Sequence, residues 1–269
     1  MTIENRLRRK LNERKTLVGA LVGMPTPSMI EMCGYLGFDW VMLDGEHEPL
    51  DAHHVEDFGR AAAAADVALV ARVGANRPEL ISSFADAGAD AVLVPHVATV
   101  EDARQVVSSL RFPPYGTRGL HGGTRAARFG IGVDPRRYFG EPENGVMAAA
   151  MIEDACALDH LDELAAVDGL EIYFVGPSDL SGSLGHPGNP DHPDVVAALT
   201  TSLRTLSSRP ENAVAFLAHN PQQVATAVAN GVRLIHTATT RQVTAALRGY
   251  LDGAREAAES MAVGDGAAR

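Results

Sequence analysis

Only two of the 269 residues are cysteine, Cys33 and Cys156, and they form no Cys-x-x-Cys pair. A disulfide framework and a structural zinc site are not expected, neither thiol has the histidine context of a nucleophile, and a reducing cytoplasm fits. No run of about 18 apolar residues occurs, so no membrane-spanning helix is expected. Basic charge is in short supply: 23 Lys and Arg against 34 Asp and Glu give a formal charge of −11. This argues against nucleic acid or an anionic membrane as partner, since both require a basic patch. An anionic substrate would need particular arginines or a metal to hold it. Neither a Gly-x-Gly-x-x-Gly nor a Walker pattern is present, which weakens a nucleotide or dinucleotide role. The first fifteen residues mix Arg, Lys and Glu without a signal-peptide core, and Leu7 and Leu11 at i, i+4 predict a short amphipathic helix there.

What the chain does have is a regular alternation. Apolar runs at Val18–Val22, Phe38–Leu43, Val67–Arg72, Ala91–Pro95, Val146–Ile152, Leu170–Val175, Val214–Leu217 and Val232–His236 read as strands. Helical segments lie between them: Pro25–Tyr35, Ala52–Ala65, Arg77–Ala87, Thr99–Leu110, Leu158–Ala166, Pro193–Leu206, Pro221–Ala229 and, last, Thr240–Tyr250. Thr99 with Asp102 forms a capping box. Strands that alternate with helices over short connections imply parallel pairing. Eight such units in a chain of this length predict an α/β fold, a (β/α)₈ TIM barrel, rather than a doubly wound sheet. With no repeat and no linker, residues 1–269 read as one domain with a frayed tail at 258–269. One connection breaks the pattern. Arg111–Gly145 is long, rich in Gly and Pro, and holds Arg118, Arg125, Arg128, Arg136 and Arg137. It reads either as a solvated loop or as a substrate lid.

In such a barrel, chemistry belongs at the C-terminal ends of the strands. The second strand ends in Leu43-Asp44-Gly45-Glu46-His47-Glu48. A buried strand ending in acids and a histidine is costly unless the groups are paired or used. His47 suits a general base, or is a surface histidine in an acidic loop. Arg72 ends the third strand and needs an anionic partner, either a substrate oxygen or Asp44 or Glu46. Glu153 and Asp179 follow the fifth and sixth strands and suit a hard divalent cation, or are loop and cap acids. Gly176-Pro177-Ser178-Asp179 turns from strand to helix, where backbone N–H groups can hold a carboxylate. His96, His121 and His236 read as pocket or packing residues, and Glu46 and Glu48 as loop or interface charges.

Taken together, Leu43–His47, Arg72, Val94-Pro95, Arg111-Phe112-Pro113-Pro114, Arg118-Gly119, Ile152-Glu153 and Gly176–Ser181 resemble the HpcH/HpaI aldolase family, the metal-dependent pyruvate aldolases. The resemblance implies a carbon–carbon lyase that makes or breaks 4-hydroxy-2-oxo acids, using pyruvate or another 2-oxo acid and an aldehyde. It implies a divalent metal on Glu153 and Asp179, Mg²⁺ or Mn²⁺ with Co²⁺ or Zn²⁺ as alternatives, and the substrate carboxylate on backbone N–H groups around Ser178 and Asp179. His47 would be the base and Arg72 would stabilise the enolate. Asp86 stands where the family has the aspartate that tunes the histidine, and Asp44 is the local candidate for that task. A hexamer built from dimers, with the last helix packed on a neighbour, is also implied. The chain departs from the family at Met151, where Gln commonly contacts substrate, at Leu21 or Val22, where the first strand often carries Trp, and at His236–Thr240, in place of a Gly-x-Asp element. Two alternatives stay open. The same enolate serves oxaloacetate decarboxylation or a specialised condensation, and a catalytically silent barrel would act as a binding or assembly subunit.

Overall fold

The fold follows from how the apolar runs bury themselves. A computed structural model describes residues 3–141 and 145–266, with side chains as far as Ser260. Eight parallel strands close into a barrel in sequence order: β1 (Leu17–Leu21), β2 (Trp40–Asp44), β3 (Ala68–Arg72), β4 (Ala91–Val94), β5 (Met147–Ile152), β6 (Leu170–Val175), β7 (Ala213–Leu217) and β8 (Leu234–Ala238). Strands β2 to β5 are buried along their whole length, as expected where helices cover one face and a filled interior the other. The (β/α)₈ barrel expected from the alternation is therefore present.

Helices α2 (Pro27–Tyr35), α3 (Ala52–Ala64), α4 (Pro78–Asp86) and α5 (Val100–Leu110) connect the first half. Helices α7 (Leu161–Ala165), α8 (Pro177–Ser183), α9 (Pro193–Leu206), α10 (Pro221–Ala229) and α11 (Thr239–Gly266) serve the second. Proline opens α2, α4, α8, α9 and α10, where its missing N–H goes unused and its fixed φ starts the turn. The capping box of α5 forms as the sequence predicts: Asp102 N–H donates to Thr99 Oγ1 at 3.1 Å, and Thr99 N–H to Asp102 Oδ2 at 2.9 Å.

The interior of the barrel is filled by Trp40, Met42, Val70, Leu93, Ile172, Phe174 and Leu234. From below, α1 (Arg6–Glu13) inserts Leu7 and Leu11, the i, i+4 pair of the amphipathic N-terminus. Trp40 fits only because β1 carries Gly19 opposite it: a Cβ there would fall among the indole ring atoms. Gly19→Ala is expected to lower unfolding stability by at least about 2 kcal/mol, because an interior packed this closely cannot absorb a methyl group. Urea denaturation of the two proteins measures it.

Three expectations change. The last helix does not stop near Tyr250; α11 runs on to Gly266, through Gly249 and Gly253. The segment before α7 is a 3₁₀ turn at Ala155–His160. The Arg111–Gly145 connection is not placed as a lid over this chain's own mouth. It joins the C-terminal end of α5 to the start of β5, so it lies at the opposite, N-terminal end of the barrel. There it forms a short turn at Arg128–Gly130 and helix α6 (Pro135–Gly140). It is held by Arg118 on Asp86, by Arg111 Nη1 on the Val146 carbonyl at 2.8 Å, and by Arg125 packed against Gly59 and Gly88. Residues 142–144 of it lie outside the described residues.

Candidate active site at the barrel mouth

The mouth is assembled by strand register. Asp44 and Arg72 are the last residues of neighbouring strands and face each other in register. Both are buried, and they form a two-point pair: Arg72 Nε donates to Asp44 Oδ1 at 2.9 Å and Nη2 to Oδ2 at 2.6 Å. Burial pushes the Asp44 carboxyl up, but the Arg72 hydrogen bonds and charge outweigh it, and the group is held below its ordinary value. Asp44 Oδ1 also accepts the N–H groups of Glu46 (3.1 Å) and His47 (3.2 Å). It thus shapes the loop that carries the histidine without touching the imidazole.

Arg72 keeps one nitrogen on the mouth side. Its Nη1 lies 2.9 Å from Glu46 Oε2 and 3.5 Å from Met151 Sδ. Glu46 is therefore part of the site and not a loop or interface charge: it lies between Arg72, His96 (3.5 Å) and His47 (3.8 Å). His47 itself projects outward and is mostly solvent-exposed. The carboxylate beside its imidazole is Glu46.

Asp86 does not reach His47 in this chain. It closes α4, which starts at the mouth and runs nine residues down the barrel wall, about 13 Å, and its carboxylate binds Arg118 (Nε to Oδ1, 3.1 Å). Among the described residues it has no contact with the histidine.

The second half of the mouth is acidic. Glu153, just past β5, is 1% exposed and accepts the His96 N–H at 3.0 Å. His96 takes a left-handed backbone (φ 54°), unusual for a non-glycine residue, which turns that N–H onto the carboxylate. The His96 Nδ1 sits 3.5 Å from Glu153 and 3.2 Å from Asp154. Burial lowers the His96 pKa, but Glu153, Asp154 and Glu46 outweigh it and leave it raised. Burial pushes the Glu153 carboxyl up to about 7; His96 opposes this, and the charges of Asp179 and Glu46 add to it. Asp179 stands in the first turn of α8, exposed to the mouth. Gly176 makes room for Glu153, since a Cβ there would lie 2.9 Å from Oε2. Ser178 is exposed beside Asp179. Pro177, which opens α8, has no N–H, so Ser178 and Asp179 offer the unused N–H groups of the first turn.

The donors that Glu153 and Asp179 offer are hard carboxylate oxygens, which fit Mg²⁺ or Mn²⁺.

The model of the HpcH/HpaI aldolase/citrate lyase family matches residues 19–245. The chain belongs to that family. It is 40% identical over 202 residues to a pyruvate aldolase of Rhizobium etli, covering 75% of this chain and 78% of that one. It is 35% identical over 237 residues to a 2-keto-3-deoxy-L-rhamnonate aldolase of Escherichia coli, covering 87% and 86%. Among solved structures, an HpcH/HpaI aldolase/citrate lyase family protein from Burkholderia cenocepacia superposes with a TM-score of 0.85 at 34% identity, over 93% of this chain and 99% of that one. With these relatives the chain is an aldolase, a carbon–carbon lyase.

The barrel interior of this HpcH/HpaI member also holds a histidine. His236 of β8 is buried against Trp40 (ring centroids 5.4 Å) and Phe174 (5.7 Å). Burial, then the charges of His219 and Arg72, push its pKa down to about 3, so the ring is neutral at working pH. Its Nδ1 and the Trp40 Nε1 are buried without a hydrogen-bond partner. The sequence reads both histidines as pocket or packing residues: His236 packs in the barrel interior, and His96 stands in the mouth. There His96 faces three carboxylates.

Proposed function

We propose that the chain catalyses reversible aldol cleavage of a 4-hydroxy-2-oxo acid to pyruvate, or a related 2-oxo acid, and an aldehyde. The observation that carries this reading is Glu153, an almost fully buried carboxyl pushed up to about 7 beside Asp179, in a mouth that also presents Arg72 and His47. The names of the relatives point to the same chemistry.

Glu153 and Asp179 would hold the divalent cation, Mg²⁺ or Mn²⁺. A cation there supplies Lewis-acid stabilisation to the oxygens of the 2-oxo acid. The N–H groups of Ser178 and Asp179, opened by Gly176 and Pro177, hold the substrate carboxylate. In cleavage, His47 takes the proton of the C4 hydroxyl. The C3–C4 bond breaks, the aldehyde leaves, and its electron pair remains as the enolate of the 2-oxo acid. Arg72 Nη1 meets the charge on the enolate oxygen, and a proton returns to C3. Asp44 is a positioning residue: it fixes Arg72 and the His47 backbone. Met151, in contact with Arg72, shapes the pocket wall and the substrate range.

Two further properties belong to this reading. Along α11 the side chains of Val243, Leu247, Tyr250 and Leu251 are exposed, which supports assembly with copies of the same chain, as hexamers built from dimers. Two free cysteines, with no helix long and apolar enough to cross a membrane among the described residues, fit a cytoplasmic setting.

Pyruvate release from synthetic 4-hydroxy-2-oxo acids, read with lactate dehydrogenase, tests the reading. Release should need Mg²⁺ or Mn²⁺, stop with chelator and return on readdition. Equal release by the chelated protein, or none across a panel of aldehyde moieties, overturns it.

The raised Glu153 pKa fixes a sign for pH. The carboxyl must lose its proton to bind a cation, so Mn²⁺ affinity should rise about tenfold per pH unit below about 7 and level off above it. Without cation, the same raised pKa gives stability that is present at low pH and is lost as pH rises through about 7. Calorimetric Mn²⁺ titrations between about pH 5.5 and about pH 8.5 check the first; a flat profile counts against it.

A further inference from the structure

Beyond α8 the chain runs through Gly185-His186-Pro187-Gly188-Asn189-Pro190-Asp191-His192-Pro193-Asp194 into α9. This turn is fixed by its own backbone. His186 N–H donates to the Ser181 carbonyl at 2.7 Å, Asn189 N–H to His186 at 3.0 Å and His192 N–H to Asn189 at 3.2 Å. Gly185 (φ 85°) and Gly188 (φ 73°) take the left-handed turns that a side chain would strain.

The result brings three donors together. The imidazoles of His186 and His192 stack with centroids 3.5 Å apart and planes 15° from parallel. Asp194 Oδ2 lies 3.4 Å from His186 Nε2 and 3.7 Å from His192 Nδ1. One ligand atom from each residue lies within 4.8 Å of the other two. The two histidine side chains are 27% and 31% exposed, while Asp194, at 73%, lies open to solvent. His192 caps α9, accepting the Asp194 N–H at 3.3 Å. That role accounts for His192 and the start of the helix; it does not account for His186, drawn onto the Asp194 carboxylate from eight residues upstream.

Two imidazole nitrogens and one carboxylate oxygen form a donor set of different character from the all-oxygen pair Glu153 and Asp179. Nitrogen donors favour Zn²⁺, Ni²⁺ or Co²⁺ over Mg²⁺. We propose that His186, His192 and Asp194 form a second cation site of this chain, selective for a nitrogen-preferring transition metal and independent of the carboxylate pair in the mouth. Coordination by both rings opens the stack, through side-chain rotations that a surface turn allows. An ion held there ties the start of α9 to the turn leaving α8, the helix whose first turn bears Asp179. Its effect is to stiffen that segment, so occupancy shows in stability whether or not the chain is an active aldolase.

The test uses Co²⁺ as the probe, on chelator-stripped full chain with excess Mg²⁺ present to occupy the oxygen site. Wild type, Glu153→Gln and the pair His186→Gln/His192→Asn are compared; asparagine at 192 keeps a capping acceptor for α9. The expected result is one Co²⁺ per chain, with the visible absorption of nitrogen-ligated Co²⁺, in wild type and in Glu153→Gln alike. The double histidine variant should bind at least about 100-fold more weakly while keeping its far-ultraviolet circular dichroism. With the oxygen site removed by Glu153→Gln, Co²⁺ should raise the melting temperature of that variant and not of Glu153→Gln combined with His186→Gln/His192→Asn. Co²⁺ binding unchanged in the double variant, or abolished by Glu153→Gln, overturns the proposal, as does no binding in wild type.

Discussion

Glu153→Gln is expected to leave a folded barrel whose aldol activity is lower by at least about 1000-fold. Glutamine has nearly the same shape and still offers an oxygen to the His96 N–H, which Glu153 Oε1 accepts at 3.0 Å. What it removes is the negative charge that a cation needs. Burial and the nearby charges of Asp179 and Glu46 already disfavour that charge when no cation is bound. The substitution should therefore leave the stability of the metal-free protein unchanged or raise it, while Mn²⁺ no longer stabilises. Lost activity with preserved stability separates a functional carboxylate from a structural one. Parallel denaturation and cleavage assays distinguish the two, and a variant that keeps most of its activity would remove Glu153 from the chemistry.

Arg72→Met should do the opposite to stability. It strands Asp44, a buried carboxylate whose two oxygens lie 2.9 and 2.6 Å from the guanidinium. Removing one partner of such a pair costs about 3–5 kcal/mol, mostly because the remaining charge has no compensation. Adding Asp44→Asn should recover most of that loss, since it removes the orphaned charge. Activity should not return. Loss of a donor aimed at developing oxygen charge reduces kcat by about 100–1000-fold, and nothing in the double variant replaces it. If activity recovers along with stability, Arg72 only supports the fold. The cycle of single and double variants measures the coupling directly.

Much of this architecture could be read from residue order. Fully buried parallel strands are continuous apolar runs, and Trp40–Leu43 or Ala68–Ala71 can be little else. That Glu153 and Asp179 stand at the same end of the barrel was legible, because a barrel delivers strand ends to one face. The pairings at the mouth were not. Whether Arg72 meets Asp44, Glu46 or substrate depends on register, and only the alignment of Asp44 with Arg72 settles the first partner. Glu46 looked like a loop charge because nothing in its neighbours says that the loop folds back over Arg72. His96 depends on a left-handed backbone that histidine does not announce. Asp86 was placed by resemblance at the base, yet α4 carries it away from the mouth to Arg118. The Arg111–Gly145 loop suggested a lid by composition, but a segment between a helix end and a strand start belongs to the other end of the barrel. In α11, Gly249 and Gly253 weaken helix propensity without ending the helix, since propensity is a weak prior. The His186–His192 pair has no periodicity to reveal it, because the turn that joins them is made by prolines and glycines.

The step common to every reaction proposed for this mouth is formation of the enolate of a 2-oxo acid. Proton exchange at the methyl group of pyruvate in D₂O, followed by NMR, tests that step without knowledge of the aldehyde. Wild-type protein with Mg²⁺ or Mn²⁺ should exchange the methyl protons, and chelator or Glu153→Gln should stop the exchange. No exchange by the wild type with any divalent cation would rule out enolate formation at this mouth.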